Sequence, residues 1–409
     1  MINVAPEFKI ALRNLRRNTK RSLVAVMTVA GGVMAFLLAG GFIAWIFQDM
    51  REATIHSQLG HIQIVRPGYF DTGISDPYAF LLPTASDAQS QIERTTGIRS
   101  LTPRLAFSGL LSLGEATIPF IGEGIDPVGE KPISSRITIM SGNDLNSAKE
   151  MGVLLGEGLA KNLGAKAGDR VVILSTASNG SPNAVEVEVK GTFATISKDF
   201  DDNALRMPID VARKLMRVSG ATSWVALLDD TEMTTKALTD IRQSLSAKDF
   251  QIIPWMELAD FYNKTVVLFS KQVDVVKIII GLIIILTISN TQTMSVLERT
   301  TEIGTSLAIG LRSSEIMRLF LLEGALIGIV GGLLGVILGY LLAQGISAIG
   351  IPMPPPPGMA RGYTGQILVS GSLALDAIVL ALVTTLLASV MPAWRASRMV
   401  IVDALRCNQ

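Results

Sequence analysis

Four apolar segments divide this chain unevenly, at 22–47, 278–297, 320–343 and 373–394, with residues 48–272 of soluble-looking composition between the first and the second. A bilayer core about 30 Å thick needs roughly 20 apolar residues at 1.5 Å per residue. Each segment reaches that length, so the pattern predicts a membrane protein with one span, a large outer domain, and three further spans. The first segment carries no charge. A secretory signal would have a shorter apolar region and a small-residue cleavage site, and Ile46-Phe47-Gln48-Asp49 offers none, so an uncleaved anchor is expected.

Composition agrees. The 409 residues are 49% hydrophobic and 17% charged, with mean hydropathy +0.43. That is too apolar for a soluble protein and less apolar than a many-span carrier. A formal net charge of +1 gives no reason to expect a nucleic-acid partner. Cys407 is the single cysteine, which excludes an intrachain disulfide.

Basic residues set the expected orientation, because a short basic flank resists translocation. Lys9, Arg13, Arg16, Arg17, Lys20 and Arg21 in segment 1–21 place the N-terminus in the cytoplasm. Four crossings return the tail, 395–409, to the same side, where Arg395, Arg398 and Arg406 agree, while the outer loop 344–371 holds only Arg361. Asp376 stands 19 residues before Arg395, roughly 28 Å along a helix axis. It is therefore expected at the far interface rather than in a proton relay.

The outer domain reads as α+β. Alternating or short apolar runs at 61–65, 170–174 and 185–189 suggest strands, and 86–95, 157–163, 209–218 and 231–245 suggest helices. A strand-rich inserted lobe is expected over 114–195. Helical patterning at 48–56 and 257–277, without a Gly/Ser-rich linker, predicts that the domain stands on a helical stalk continuous with the first two spans. Phe261, Leu268 and Phe269 on that stalk are candidate substrate contacts, with packing between the stalks as the competing role.

Loop 298–318 holds Glu298-Arg299-Thr300-Thr301-Glu302-Ile303-Gly304, then Leu307-Ala308-Ile309-Gly310. Charges interleaved with Ile303, Leu307 and Ile309 suit a short amphipathic helix at the membrane surface. In the third span Gly324, Gly328 and Gly332 share one four-residue register, and Gly331, Gly335 and Gly339 share another. Small residues at this spacing let helices approach closely where lipid gives no hydrophobic drive to associate. The double register predicts a packed helix interface.

Those motifs, with Pro392-Ala393-Trp394-Arg395-Ala396-Ser397-Arg398, Val402-Asp403-Ala404-Leu405-Arg406 and the opening Ala11-Leu12-Arg13-Asn14-Leu15-Arg16-Arg17-Asn18, resemble the FtsX/MacB family of ABC transporter permeases. Gly60-His61-Ile62-Gln63-Ile64, Pro67-Gly68-Tyr69 and the loop Pro352-Met353-Pro354-Pro355-Pro356-Pro357-Gly358 look most like its lipoprotein-release (LolC/LolE-like) branch. The resemblance implies a permease subunit in a bacterial inner membrane that transmits the work of a separate cytoplasmic ATPase to the outer domain and extracts or exports lipoprotein, lipid or another amphipathic substrate. Glu298, Arg299, Glu302, Ile303, Gly304, Leu307 and Ile309 would then contact the ATPase. Thr305 and Ser306 stand where the family commonly has basic residues.

ATP and Mg would reside on the partner, and a second permease copy or paralogue would complete the unit. A periplasmic or lipoprotein partner and membrane lipid are further expected contacts. Two alternatives are an FtsX-like regulator of cell-wall hydrolases and a MacB-like drug or peptide efflux permease. No G-x-x-x-x-G-K-[ST] loop occurs in the sequence, nor an H-E-x-x-H or G-x-S-x-G motif. His56 and His61 make a poor metal pair, so no catalytic or metal-ligating residue is expected.

Overall fold

Every apolar segment lies within one uninterrupted helix, and each helix runs beyond the apolar stretch that announced it. The computed structural model describes residues 5–73, 76–84, 86–354 and 362–400. Met1, Arg361, Arg406, Cys407 and residues 355–360 of the proline-rich loop lie outside the described residues.

The chain opens with α1 (Ala5–Arg17) and α2 (Thr19–Thr54), closed by a π-helical turn, Ile55–Leu59. Then follow β1 (Ile62–Val65), α3 (Asp87–Glu93), β2 (Ile98–Leu113), β3 (Ala116–Ile125), β4 (Thr138–Gly142), β5 (Gly152–Gly156) and α4 (Glu157–Leu163). Next come β6 (Arg170–Thr176), β7 (Pro182–Ala194), α5 (Lys198–Asp201), β8 (Ala204–Pro208), α6 (Ile209–Met216) and β9 (Ser223–Leu228). The run ends with α7 (Thr234–Ser244), β10 (Gln251–Pro254), α8 (Trp255–Leu258), α9 (Asp260–Glu298), α10 (Thr300–Ala308), α11 (Ser313–Ile349) and α12 (Gly371–Ser397). Two compact units result. One is Gln48–Thr265 with Met353–Tyr363, and the other is Met1–Phe47, Val266–Pro352 and Thr364–Gln409.

In the first unit β2, β3, β8, β5, β7 and β6 pair in turn, and β6 pairs back onto β2, so six strands close a barrel. β2 is long enough to serve two sheets: its first half pairs with β9, which carries β1 and β10 beyond it. Closure removes the open edges that a six-stranded sheet would expose. Gly109 makes the seam possible, since a Cβ there would lie 2.1 Å from the Leu174 carbonyl oxygen of β6.

Inside the barrel Leu105, Phe107, Leu111, Val153, Leu155, Val171, Ile173 and Leu205 pack with α4 and α6. Burying side chains of this size contributes about 1.5–3 kcal/mol each. A second core gathers Ile62, Ile64, Trp224 and Leu228 under Ile92 of α3 and Ile241 of α7.

The expected lobe at 114–195 is not a separate unit. Its first boundary cuts the β2–β3 hairpin at Gly114, whose φ of +60° suits the first position of a two-residue turn. Both β2 and β8, which close the barrel, lie outside those limits.

In the second unit α2, α9, α11 and α12 share a core of Val29, Val33, Leu37, Ile284, Ile288, Ile327 and Ala381. Their outer faces expose Leu282, Leu286, Ile337, Leu341 and Leu387. A surface so apolar is that of a bundle solvated by lipid.

Candidate coupling site

A single residue, Arg299, separates α9 from α10, so the loop helix follows the second span almost without a break. Arg299 is buried. It donates from Nη1 to Glu323 Oε1 of α11 at 3.0 Å, reaches Glu302 at 3.4 Å, and stacks over Phe320. Asn14 of α1 donates to the same Glu323 oxygen at 2.8 Å. Arg17 of α1 pairs with Glu302 at 2.7 Å, and Arg21 pairs with Glu298. The Arg17 hydrogen bond holds the Glu302 carboxyl below the usual carboxylate range. Five helices, α1, α2, α9, α10 and α11, therefore meet in one polar knot, with the half-exposed carboxylates Glu298 and Glu302 on its outside.

This geometry corrects part of the expected ATPase-facing set. Arg299, Ile303 and Gly304 are buried within the chain. Ile303 packs with Val296, Ile316 and Phe320, and Leu307 is half-buried against the same cluster. Only Glu298, Glu302 and Ile309 offer exposed surface, and Ile309 is 77% exposed. An amphipathic pattern gives two faces, but the neighbouring helices decide which one is covered. Glu323, central to the knot, was passed over in the sequence although it lies inside the third apolar segment. Its signal was a carboxylate in an apolar stretch, which is a functional position by default.

The two glycine registers of α11 face two different helices. Gly324, Gly328 and Gly332 lie against Ser389, Thr385 and Ala381 of α12. Gly331, Gly335 and Gly339 lie against Val29, Val33 and Leu37 of α2. Of the stalk candidates, Phe269 sets its ring edge against Phe47 at 6.4 Å, while Leu268 is 58% exposed and Phe261 is also exposed. The structure does not bring these three together as one site.

At the C-terminal end of α2 the π-helical turn is gripped by a second charged cluster, which sequence reasoning missed. Arg206 of β8 donates to the Ser57 carbonyl at 3.1 Å, to Glu123 at 2.9 Å and to Ser134 at 3.0 Å. Arg104 of β2 donates to the Gln58 carbonyl and pairs with Glu130. Burial would raise the Glu123 carboxyl, but Arg206 and Arg104 outweigh it and hold it low. Two guanidinium groups thus satisfy carbonyls that the π-helical turn leaves open at the negative end of its dipole. The clue was available: Arg206 interrupts the otherwise apolar strand Ala204–Pro208.

His61 is buried, and both of its ring nitrogens are hydrogen-bonded. Its Nδ1 accepts from the Leu228 amide at 3.0 Å, which leaves Nε2 to donate to Thr231 at 2.9 Å. Burial first, and then the charges of His56 and Arg51, push its pKa down to about 4.

Two family models match the chain: a MacB-like periplasmic core domain over residues 22–244, and an FtsX-like permease C-terminal domain over residues 275–401. Among curated relatives, an uncharacterised ABC transporter permease of Methanocaldococcus jannaschii is 26% identical over 64% of this chain and 62% of its own length. The lipoprotein-releasing system transmembrane protein LolC of Xylella fastidiosa is 28% identical over 76% of this chain and 78% of its own. The macrolide export ATP-binding/permease protein MacB of Rhodospirillum rubrum is 29% identical over 86% of this chain but only 54% of its own. The chain thus spans less than two thirds of the first and the third of these relatives.

Proposed function

Because this chain belongs to the FtsX/MacB family of ABC transporter permeases, we propose that it is the permease subunit through which a separate cytoplasmic ATPase moves the outer domain. The observation that carries this reading is the placement of α10. It follows α9, a 39-residue helix that begins at Asp260, after one residue, and Glu298 at the end of α9 and Glu302 of α10 stand at the surface of the polar knot. A load applied at α10 acts on the end of that helix, and the Arg299–Glu323 pair spreads it to the third span.

On this reading the membrane is a bacterial inner membrane and both termini are cytoplasmic. ATP and Mg belong to the ATPase, and a second permease copy or paralogue completes the unit. The substrate is a lipoprotein, a lipid or another amphipathic molecule. The similarity to LolC over most of both chains supports the lipoprotein-release branch. The test is ATP hydrolysis by the reconstituted complex. Glu302→Lys places a cation beside Arg17 and Arg299 and should abolish stimulation by the permease, and stimulation left unchanged would refute coupling through α10.

A further inference from the structure

We propose that α1 is an anionic-phospholipid site, in which a stripe of free cations binds lipid headgroups while the rest of the helix is fastened to α11 through Asn14 and to the coupling loop through Arg17. Lys9, Arg13 and Arg16 recur at four- and three-residue spacing, so they form one row along α1. All three are exposed, and none forms an ion pair with a described residue. Beside that row, Phe8 and Leu12 are exposed four residues apart, each 45% accessible. Ala11 and Asn14 on the other side are buried, and Arg17 is engaged with Glu302.

A helix with one fastened face, an exposed cationic row opposite it and an exposed apolar row flanking that row has the form of an interfacial anchor. Apolar side chains enter the acyl boundary and the cations meet headgroup phosphates. Charge complementarity selects the anionic lipid. The consequence for coupling rests on the proposed function: lipid engagement would hold Arg17 and Asn14 in place, and with them Glu302 and Glu323.

The lipid site itself is tested without the ATPase, so its failure and that of the proposed function are distinguishable. The full chain is placed in nanodiscs of phosphatidylcholine with or without phosphatidylglycerol, and amide hydrogen exchange is followed across Ala5–Arg17. Each basic residue contributes about fivefold at an anionic surface, so protection is expected to rise on the order of a hundredfold with phosphatidylglycerol. K9Q/R13Q/R16Q should remove that rise while leaving exchange in α11 unchanged. For the unaltered chain, added salt should reduce the rise, which checks the idea even where the variant folds poorly.

Equal protection in the two lipids would overturn the proposal. So would loss of protection by the variant in phosphatidylcholine alone, which would make the row a protein-packing face. Free phosphate reproducing the effect without phosphatidylglycerol would also overturn it as a membrane site.

Discussion

Gly335→Ala should destabilise the membrane unit, and Gly332→Ala, three residues away on the same helix, should not. At Gly335 an added Cβ would lie 2.7 Å from both the Ala30 carbonyl oxygen and Val33 Cβ, and 2.8 Å from Val33 Cγ1. Carbon pairs are comfortable at about 3.5–4.0 Å. One of the crowding atoms is backbone, so α2 itself must move, and overpacking of this kind costs about 1–3 kcal/mol. At Gly332 the nearest atoms are Ala381 Cβ at 3.4 Å and Ile378 Cα at 3.8 Å, which is ordinary contact. Replacing glycine by alanine in a helix also gains about 1 kcal/mol of propensity. That gain is common to both variants and cancels in their difference. The expected gap is therefore about 1–3 kcal/mol, with Gly335→Ala the less stable. Unfolding of the two full-length variants in matched detergent, followed by thermal or denaturant titration, measures it directly. Equal stability, or a more stable Gly335→Ala, would refute the assignment of the two registers to two different helices.

Arg104→Met should cost about 3–5 kcal/mol in the outer unit, because it leaves the buried Glu130 without its cation. Urea unfolding of the full chain, followed by fluorescence of the buried Trp224, reports this loss. Replacing Glu130 by leucine in the same chain should recover most of it. His61 gives a pH dependence of definite sign. The unfolded chain takes up a proton below pH about 6.5, whereas the folded imidazole resists it down to about 4. Stability from this group is thus complete above the unfolded value and falls by about 3 kcal/mol as pH drops between the two. Hydrogen exchange of β1 and β9 from pH 7 to pH 4, compared between the unaltered chain and His61→Gln, isolates the term. The same slope in both would exclude His61 as its source.

Much of the architecture was legible along the chain because hydrophobic length and spacing are local properties. The run 278–297 had to cross a membrane on length alone, and α4 occupies the expected 157–163, where Gly164 takes the left-handed conformation that ends it. Interior topology was less legible. Barrel closure depends on β6 returning to β2, which pairs Leu110 with Leu174 across a long stretch of chain. No periodicity encodes such a pairing, and an expected lobe boundary therefore fell inside a hairpin.

By itself the sequence determined four spans, the size and position of the outer domain, a short loop helix after the second span, and two glycine rows on the third. These follow from the bilayer's thickness, from helical periodicity and from the small size of glycine. Only the tertiary structure decided that one glycine row meets α12 and the other α2, that Arg299, Ile303 and Gly304 turn inward while Glu298 and Glu302 remain outside, and that Arg104 and Arg206 grip the end of α2. Each of these depends on which distant segment supplies the neighbour, and a side chain's burial and charge environment exist only once that neighbour is in place.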